Sequence, residues 1–362
     1  MTDASRIIVG LSGGVDSAVA AGLLKQSGHD VSAIFMKNWE EDDAQGECPA
    51  DADFRDAELV CDILDIPLHQ VNFAKNYWDE VFENFLTEYQ AGRTPNPDIL
   101  CNKEIKFKAF LNYARTLGAD AIATGHYAQI GNVGGHYQLL KGNDSNKDQS
   151  YFLYTLGQQQ LAHSCFPIGH LSKPQVRELA QQMGLANHAK RDSTGICFIG
   201  ERDFKEFLQQ YLPAQPGPIV DENGAVLGEH HGLMYYTLGQ RQGLGIGGQA
   251  QHDDAPWYVA HKNLSDNTLL VVQGHDHPAL HCQRLRFQQA SWVAGTPPDF
   301  TRARYAKIRY RQADQACTLS QIDADTFQAD FAQPQRAVTP GQSIVIYDDV
   351  CCLGGGIIHE AW

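Results

Sequence analysis

No two of the nine cysteines (48, 61, 101, 165, 197, 282, 317, 351 and 352) form a Cys-x-x-Cys pair, and their number is odd. That argues against a disulfide framework and a zinc ribbon, and reduced thiols are expected. No run of about eighteen apolar residues occurs, and no charged segment followed by an apolar one opens the sequence. A cytoplasmic protein with no membrane partner is expected. Positive charge is also in deficit: the formal net charge is −15, which taken alone argues against a nucleic-acid partner. Internal repeats and low-complexity tracts are missing. What is present is 362 residues, 43% hydrophobic, enough to bury substantial cores in two or three domains.

The acidic excess is unevenly spread. From 281 to 362 eight basic residues balance eight acidic ones, and within 302–311 five of ten residues are basic and none is acidic. Read as a strand, this segment puts Lys307, Arg309 and Arg311 on one face with Tyr305 at the same parity. A basic stripe beside an aromatic suits a phosphate backbone. A solvated edge strand guarded by charge explains it equally well.

Residues 1 to about 130 alternate strand and helix patterns, as a doubly wound parallel α/β sheet requires. Strands are expected at Ile7–Leu11, Val31–Phe35, Leu68–Phe73 and Ala121–Thr124, and helices over 51–64, 77–90 and 103–117. A helical tail is expected over about 148–212, after which the prolines at 213, 216 and 218 mark a boundary. Beyond it, Asn223-Gly224 reads as a hairpin turn, and Trp257–Ala260 pairs with Thr268–Val272 in a small, mostly β segment. Short strands from 281 onward read as a compact β-barrel. The domains expected are thus 1–212, 213–280 and 281–362. In such α/β sheets ligands sit beyond the C-terminal strand ends. The loops at 12–17, 36–39 and 125–127 should therefore converge on one pocket.

The first of those loops is the most specific. An apolar β-run breaks at Ser12-Gly13-Gly14-Val15-Asp16-Ser17 into a helical pattern. Paired glycines let backbone N–H groups turn inward at a helix N-terminus, where they and the helix dipole hold a polyanion. Ser12 and Ser17 add hydroxyls, and Asp16 suits a divalent cation on the phosphates. The loop has neither the lysine of a Walker A motif nor the spacing of a dinucleotide fingerprint. It resembles the PP-loop of the N-type ATP pyrophosphatases, which cleave ATP between the α and β phosphates.

Two thiols also stand out. Cys101 follows the stiff Pro95-Asn96-Pro97-Asp98 turn at the expected start of a helix, where the dipole favours thiolate. Cys197 lies between glycines in the 192–200 loop. For both the alternative is a small buried hydrophobe, as Cys61 is on the apolar face of its helix. Cys351 and Cys352 have no identified role.

Over nearly its whole length the chain resembles the bacterial tRNA-specific 2-thiouridylases. The likeness runs through SGGVDS (12–17), FMKNW (35–39), GRTPNPDILCN (92–102), ATGHY (123–127), SNKDQSYFL (145–153), DSTGICFIG (192–200), YTLGQRQGLG (236–245), RYRQ (309–312), TPGQS (339–343) and CLGGGII (352–358). The resemblance implies an ATP-dependent sulfurtransferase. The O2 of the wobble uridine, position 34 in tRNAs for lysine, glutamate and glutamine, is adenylated and then replaced by sulfur, with AMP and pyrophosphate released.

It assigns ATP to Gly10, Leu11, Ser12, Gly13, Gly14, Val15, Asp16, Ser17, Met36 and Gly125, with magnesium. Cys197 would carry the persulfide and Cys101 would release its terminal sulfur. Asp98, three residues before Cys101, is the candidate for proton transfer. RNA contacts are implied for Asn96, Pro97 and Asp98 around the target base, for His126, Lys147, Asp148 and Gln149, and for Arg309, Tyr310 and Gln342. His126 reads equally as a strand-end histidine, and 147–149 as a helix start capped by Asp148. The implied partners are tRNA and a sulfur donor, either a cysteine desulfurase or a relay protein.

Several readings stay open on the sequence. The persulfide attacks C2 directly, or Cys101 frees sulfide that attacks. Alternatively, Cys101, Cys197 and Asp98 hold an iron–sulfur cluster. The rival enzyme is a PP-loop ligase or amidotransferase for a small metabolite, and a rival of another class is a non-catalytic RNA-binding module.

Overall fold

A computed structural model of the protein describes residues 5–40, 49–191, 204–246 and 255–362. Strand β1 (Arg6–Gly10) is apolar at nearly every position, and both of its faces are covered. Ile8 belongs to one core with Ile34, Phe82, Phe107 and Phe110, while Ile7 and Val9 belong to another with Val15, Val19, Ala33 and Phe35. Neighbouring strand residues point to opposite faces, so such a strand must be central in a sheet sandwiched between helices. It pairs in parallel with β2 (Asp30–Lys37) on one side and β4 (Ala121–Ala123) on the other, and β3 (Leu68–Asn72) extends the sheet beyond β2.

The full order is β3-β2-β1-β4-β7, all parallel, and β7 is the short strand Ser164–Cys165. The doubly wound α/β fold expected from the alternating pattern is present. Strand order reverses between β1 and β4, and in such sheets ligands bind at that point, beyond the C-terminal strand ends. Helix α1 (Val15–Gln26) follows β1 at that point, and α2 (Pro49–Leu64) follows β2. Gly22 of α1 has no room for a Cβ, which would sit 2.5 Å from Met183 Sδ. The glycine lets α1 pack closely on the end of the Lys173–Gln182 helix.

Three elements differ from expectation. The stretch 148–212 is broken by β7, which completes the sheet. The helix expected over 103–117 is continuous over 97–116, because Pro97 occupies its first turn, where a missing N–H costs nothing. A hairpin, β5 (Ala128–Val133) with β6 (His136–Lys141), leaves the first domain and pairs with the last strand of the chain, Leu140 opposite Cys351 and Leu139 opposite Cys352.

The second sheet has order β10-β11-β8-β9, built from β8 (Gly217–Val220), β9 (Val226–His230), β10 (Trp257–Asn263) and β11 (Thr268–Gln273). Its hairpin turn at Asn223-Gly224 needs the left-handed Gly224, φ +81°. Asp221 Oδ1 accepts the Asn223 and Ala225 N–H groups.

The third unit is a closed six-stranded antiparallel barrel: β12 (His281–Trp292), β13 (Arg304–Lys307), β14 (Gln315–Gln321), β15 (Phe327–Arg336), β16 (Ser343–Asp348) and β17 (Cys351–Ala361). Closure follows because β12 pairs with both β15 and β17. Leu285, Phe287, Ile308, Phe327, Ile344 and Ile346 are part of its interior. The barrel also touches the first domain where it matters, since Thr94 N–H donates to Pro340 O at 3.0 Å.

Candidate active site

Ser12 to Ser17 bridge β1 and α1 at the switch point. Ser17 Oγ donates to Gly14 O (3.1 Å) and accepts the Ser12 N–H (3.2 Å), and the two hydroxyls lie 3.2 Å apart, so the loop is braced from within. Gly13 sits at φ +74°, where a Cβ would lie 2.3 Å from Asp53 O. Gly125, arriving from β4, passes so close to α1 that a Cβ would lie 2.6 Å from Ser17 N. Only glycine allows these approaches. Beside Gly10 stand Met36 Cε and the Phe110 ring, each 3.1 Å from where a Cβ would be. Gly10, Met36 and Gly125 thus pack closely around the serine–glycine loop, whereas Leu11 and Val15 are buried in the core with Ile7 and Val9.

The cation missing from the loop comes from far along the chain. Lys173 opens a helix capped by Ser172 and Gln175, and its side chain is 10% exposed. Its Nζ donates to Asp16 Oδ1 and Oδ2, each at 2.8 Å, and Tyr127 Oη donates to Oδ1 at 2.8 Å. Farther out, Asn187 Nδ2 donates to Gly13 O (3.0 Å), and Lys190 bridges Asp53 (2.7 Å) and Asp56 (2.5 Å) of α2. Tyr127 lies in the 125–127 loop already expected at the pocket, whereas Lys173, Asn187 and Lys190 did not stand out in the sequence. The usable signals were a lysine just before Pro174 at a helix start and two aspartates three apart on α2.

Cys101 lies one turn inside its helix, not at the N-terminus, so the dipole argument for thiolate weakens, since that effect fades within the first turn. It is buried at 2% exposure, and from Cys101 to Phe110 the backbone winds as a π-helix, a form frequent at functional sites. Phe110 packs under Gly10, and the Phe107 ring lies 5.8 Å from that of His126. One helix therefore runs from the phosphate loop, through Phe110, to Cys101. Asp98 sits in its first turn, half-buried. Burial pushes its carboxyl above the ordinary range, against the opposing pull of Lys106. Cys197 lies outside the described residues. Among those residues no group of three His, Cys, Asp or Glu side chains converges to hold a metal.

The residues assigned to RNA divide into two sets. His126 is buried, its Nδ1 2.7 Å from Thr124 Oγ1, its ring between Phe107 and Phe166. Desolvation holds its pKa well below the usual 6.5, and the ring is neutral at pH 7. Asp148 is buried too, with Oδ1 accepting the Gly142 and Ser150 N–H groups and Oδ2 3.4 Å from Lys307 Nζ. Gln149 Oε1 accepts the Tyr127 N–H. Gln342 Nε2 donates to Thr94 O (2.8 Å) and Pro95 O (3.2 Å), tying the barrel to the turn that presents Asn96, Pro97 and Asp98. These side chains are tied up in contacts within the protein.

Lys147 and Tyr310 are half-buried and line a cleft of about 310 Å³ with Ser145, Asn146, Lys307, Arg311 and Gln312. Tyr310 Oη donates to Lys147 O at 3.2 Å and its ring lies 4.5 Å from that of Phe152. Arg309 is exposed and donates to Arg336 O. The expected stripe is only partly real. Strand β13 ends at Lys307 because Gln312 Oε1 takes the Ile308 N–H and turns the chain, so Arg309 and Arg311 do not continue its face. Arg304 is buried and lies 3.4 Å from Asp348.

Three family models match successive parts of the chain. Residues 5–201 match the family model described as tRNA methyl transferase HUP domain, 205–273 the tRNA methyl transferase PRC-barrel domain, and 282–358 the aminomethyltransferase beta-barrel domain. The tRNA-specific 2-thiouridylase MnmA of Nitrosomonas eutropha is 60% identical over 357 residues, 99% of each chain. That of Psychromonas ingrahamii is 60% identical over 363 residues, again 99% of each, and that of Francisella tularensis subsp. tularensis 60% over 354 residues, 98% of this chain and 99% of its own. Among the described residues no helix is long and apolar enough to cross a membrane. With 60% identity over both full lengths, the chain belongs to the family of tRNA-specific 2-thiouridylases.

Proposed function

We propose that this sulfurtransferase thiolates tRNA by adenylating O2 of the wobble uridine and replacing it with sulfur carried on Cys197. The observation that carries the reading is the single helix that packs under the phosphate loop through Phe110 and carries Asp98 and the buried Cys101 farther along. A carbonyl oxygen is a poor leaving group. Its attack on the α-phosphorus breaks the Pα–O–Pβ bond, releases pyrophosphate, and leaves an O-adenylated uridine from which AMP departs. The loop N–H groups at the start of α1 and the Lys173 ammonium stabilise the charge that develops on pyrophosphate. Asp16, whose carboxylate is held by Lys173 and Tyr127, is the loop carboxylate that would hold a magnesium ion brought with the nucleotide, and the ion would supply charge neutralisation on the phosphates.

The uridine must leave its stack to reach the phosphate loop. The turn at Asn96 to Asp98, clamped by Gln342, stands where the base would arrive, and Asp98 with its raised pKa is suited to move a proton there. Lys147, Tyr310 and Arg311 suit the phosphates of the anticodon arm. Whether the persulfide sulfur attacks C2 itself or Cys101 first releases it as sulfide, the cysteines end as a Cys101–Cys197 disulfide. A thiol reductant must return both to thiols before the next turnover. The sulfur donor is a protein able to pass a sulfane sulfur to the Cys197 thiol.

The test is incubation with tRNA, ATP, magnesium and a sulfur donor, followed by nucleoside mass spectrometry. Cys197→Ser should yield no 2-thiouridine while ATP binding stays intact. Full activity in that variant would sink the persulfide assignment.

A further inference from the structure

We propose that Asn187 is a positioning residue of the phosphate loop: its side-chain amide fixes the Gly13–Gly14 peptide so that the Gly14 N–H faces the pyrophosphate half of ATP. The assignment rests on the ATP-pyrophosphatase reading of the loop and names what holds that loop in its working shape.

Asn187 is 5% exposed, and its Nδ2 donates to Gly13 O at 3.0 Å across 174 residues of sequence. The amide orientation is not in question, since only the NH₂ end can donate to a carbonyl. In a trans peptide C=O and the next N–H point in opposite directions. Drawing the Gly13 carbonyl toward Asn187 therefore turns the Gly14 N–H the other way, where it meets Ser12 Oγ at 3.4 Å. That contact is long enough for a phosphate oxygen to replace it. Gly13 itself is held at φ +74° against Asp53 O, a conformation easily lost if the carbonyl swings.

The turn that carries Asn187 is rigid. The preceding helix ends at Gly184 (φ +72°) with Leu185 N–H on Ala180 O, the Lys190 N–H closes on Asn187 O at 3.0 Å, and Arg177 donates to the carbonyls of His188 (2.8 Å) and Lys190 (2.9 Å). A further sign is the other end of the side chain. Asn187 Oδ1 is buried with no hydrogen-bond partner among the described residues, a cost that an apolar side chain of the same shape would avoid. Lys190 Nζ also approaches Gly13 O, at 3.5 Å, but it is shared with Asp53 and Asp56 and is the weaker holder.

The experiment is calorimetric titration of the full chain and of Asn187→Leu with ATP, inorganic pyrophosphate and AMP at fixed magnesium. Leucine keeps the shape and removes both the donor and the orphaned acceptor, so the melting temperature should change little. Affinity for ATP and pyrophosphate should fall by about five- to thirtyfold, the range for one buried hydrogen bond, whereas AMP, bound through Met36 and Gly125, should change by less than about twofold. Asn187→Ser, too short to reach Gly13, should behave alike if the leucine variant does not fold. Pyrophosphate affinity within about twofold of the unsubstituted protein, or an equal loss for AMP, would overturn the assignment. If the unsubstituted protein binds no pyrophosphate, the functional reading itself fails and the assignment with it.

Discussion

Replacing Lys173 by methionine removes one charge beside the phosphate loop while keeping most of the side chain's volume. Lys173 Nζ lies 2.8 Å from both oxygens of Asp16, whose side chain is 30% exposed, and 5.9 Å from the centre of the Tyr127 ring. At an effective dielectric of 20 the Coulomb attraction at that distance is about 6 kcal/mol, most of it offset by desolvation. With Asp16 partly in water, losing the lysine should cost about 1–3 kcal/mol of stability, a drop of a few degrees in melting temperature. The larger effect falls on chemistry. A fixed donor aimed at developing charge is worth about 3–4 kcal/mol, so single-turnover release of AMP from ATP and tRNA should slow by about 100- to 1000-fold in Lys173→Met. Asp16→Asn combined with Lys173→Met should lose less than the sum of the two single changes, because the pair acts as a unit. AMP release within about threefold of the unsubstituted enzyme would refute the idea that Lys173 serves the departing pyrophosphate.

Asp98→Asn should lower kcat by about 100-fold and abolish the acidic limb of the pH–rate profile. That limb should lie above the ordinary carboxylate range, because burial raises the Asp98 pKa. His126, held neutral, stabilises the fold above pH 6.5 and loses that contribution as pH falls below it, since the unfolded chain takes up the proton first. His126→Gln should flatten the acid side of a melting-temperature profile. Gln342→Ala releases the Thr94 and Pro95 carbonyls and should reduce kcat about tenfold, with ATP affinity unchanged. In a filter-binding titration against salt, Arg311→Ala should lower the slope of log K on log salt by about one, the signature of a phosphate contact.

Much of the first domain was legible because its signals are local. The apolar β1 run, the paired glycines and α1 follow one another in twenty residues, and strand ends at Met36 and Gly125 follow from the same alternation. The rest depends on long-range partners. Lys173 meets Asp16 across 157 residues, and no periodicity announces such a pair. The β5–β6 hairpin carries no local signal that fixes its place, because Leu139 and Leu140 pair with β17 more than two hundred residues later. The basic stripe failed because parity holds only while a strand continues, and the Gln312 side chain stops it at Lys307. Cys101 was misplaced by one turn because the helical pattern begins at Lys103, whereas the helix begins at Pro97.

In the proposed reaction uridine's own oxygen takes the AMP. An anticodon stem-loop carrying ¹⁸O at C2 of the wobble uridine, incubated with ATP, magnesium and persulfide-loaded enzyme, tests it directly by mass spectrometry of the nucleotide products. One ¹⁸O should appear in the AMP phosphate for each 2-thiouridine formed, with unlabelled pyrophosphate. Label in water with unlabelled AMP, or ADP and phosphate as the products, would contradict it.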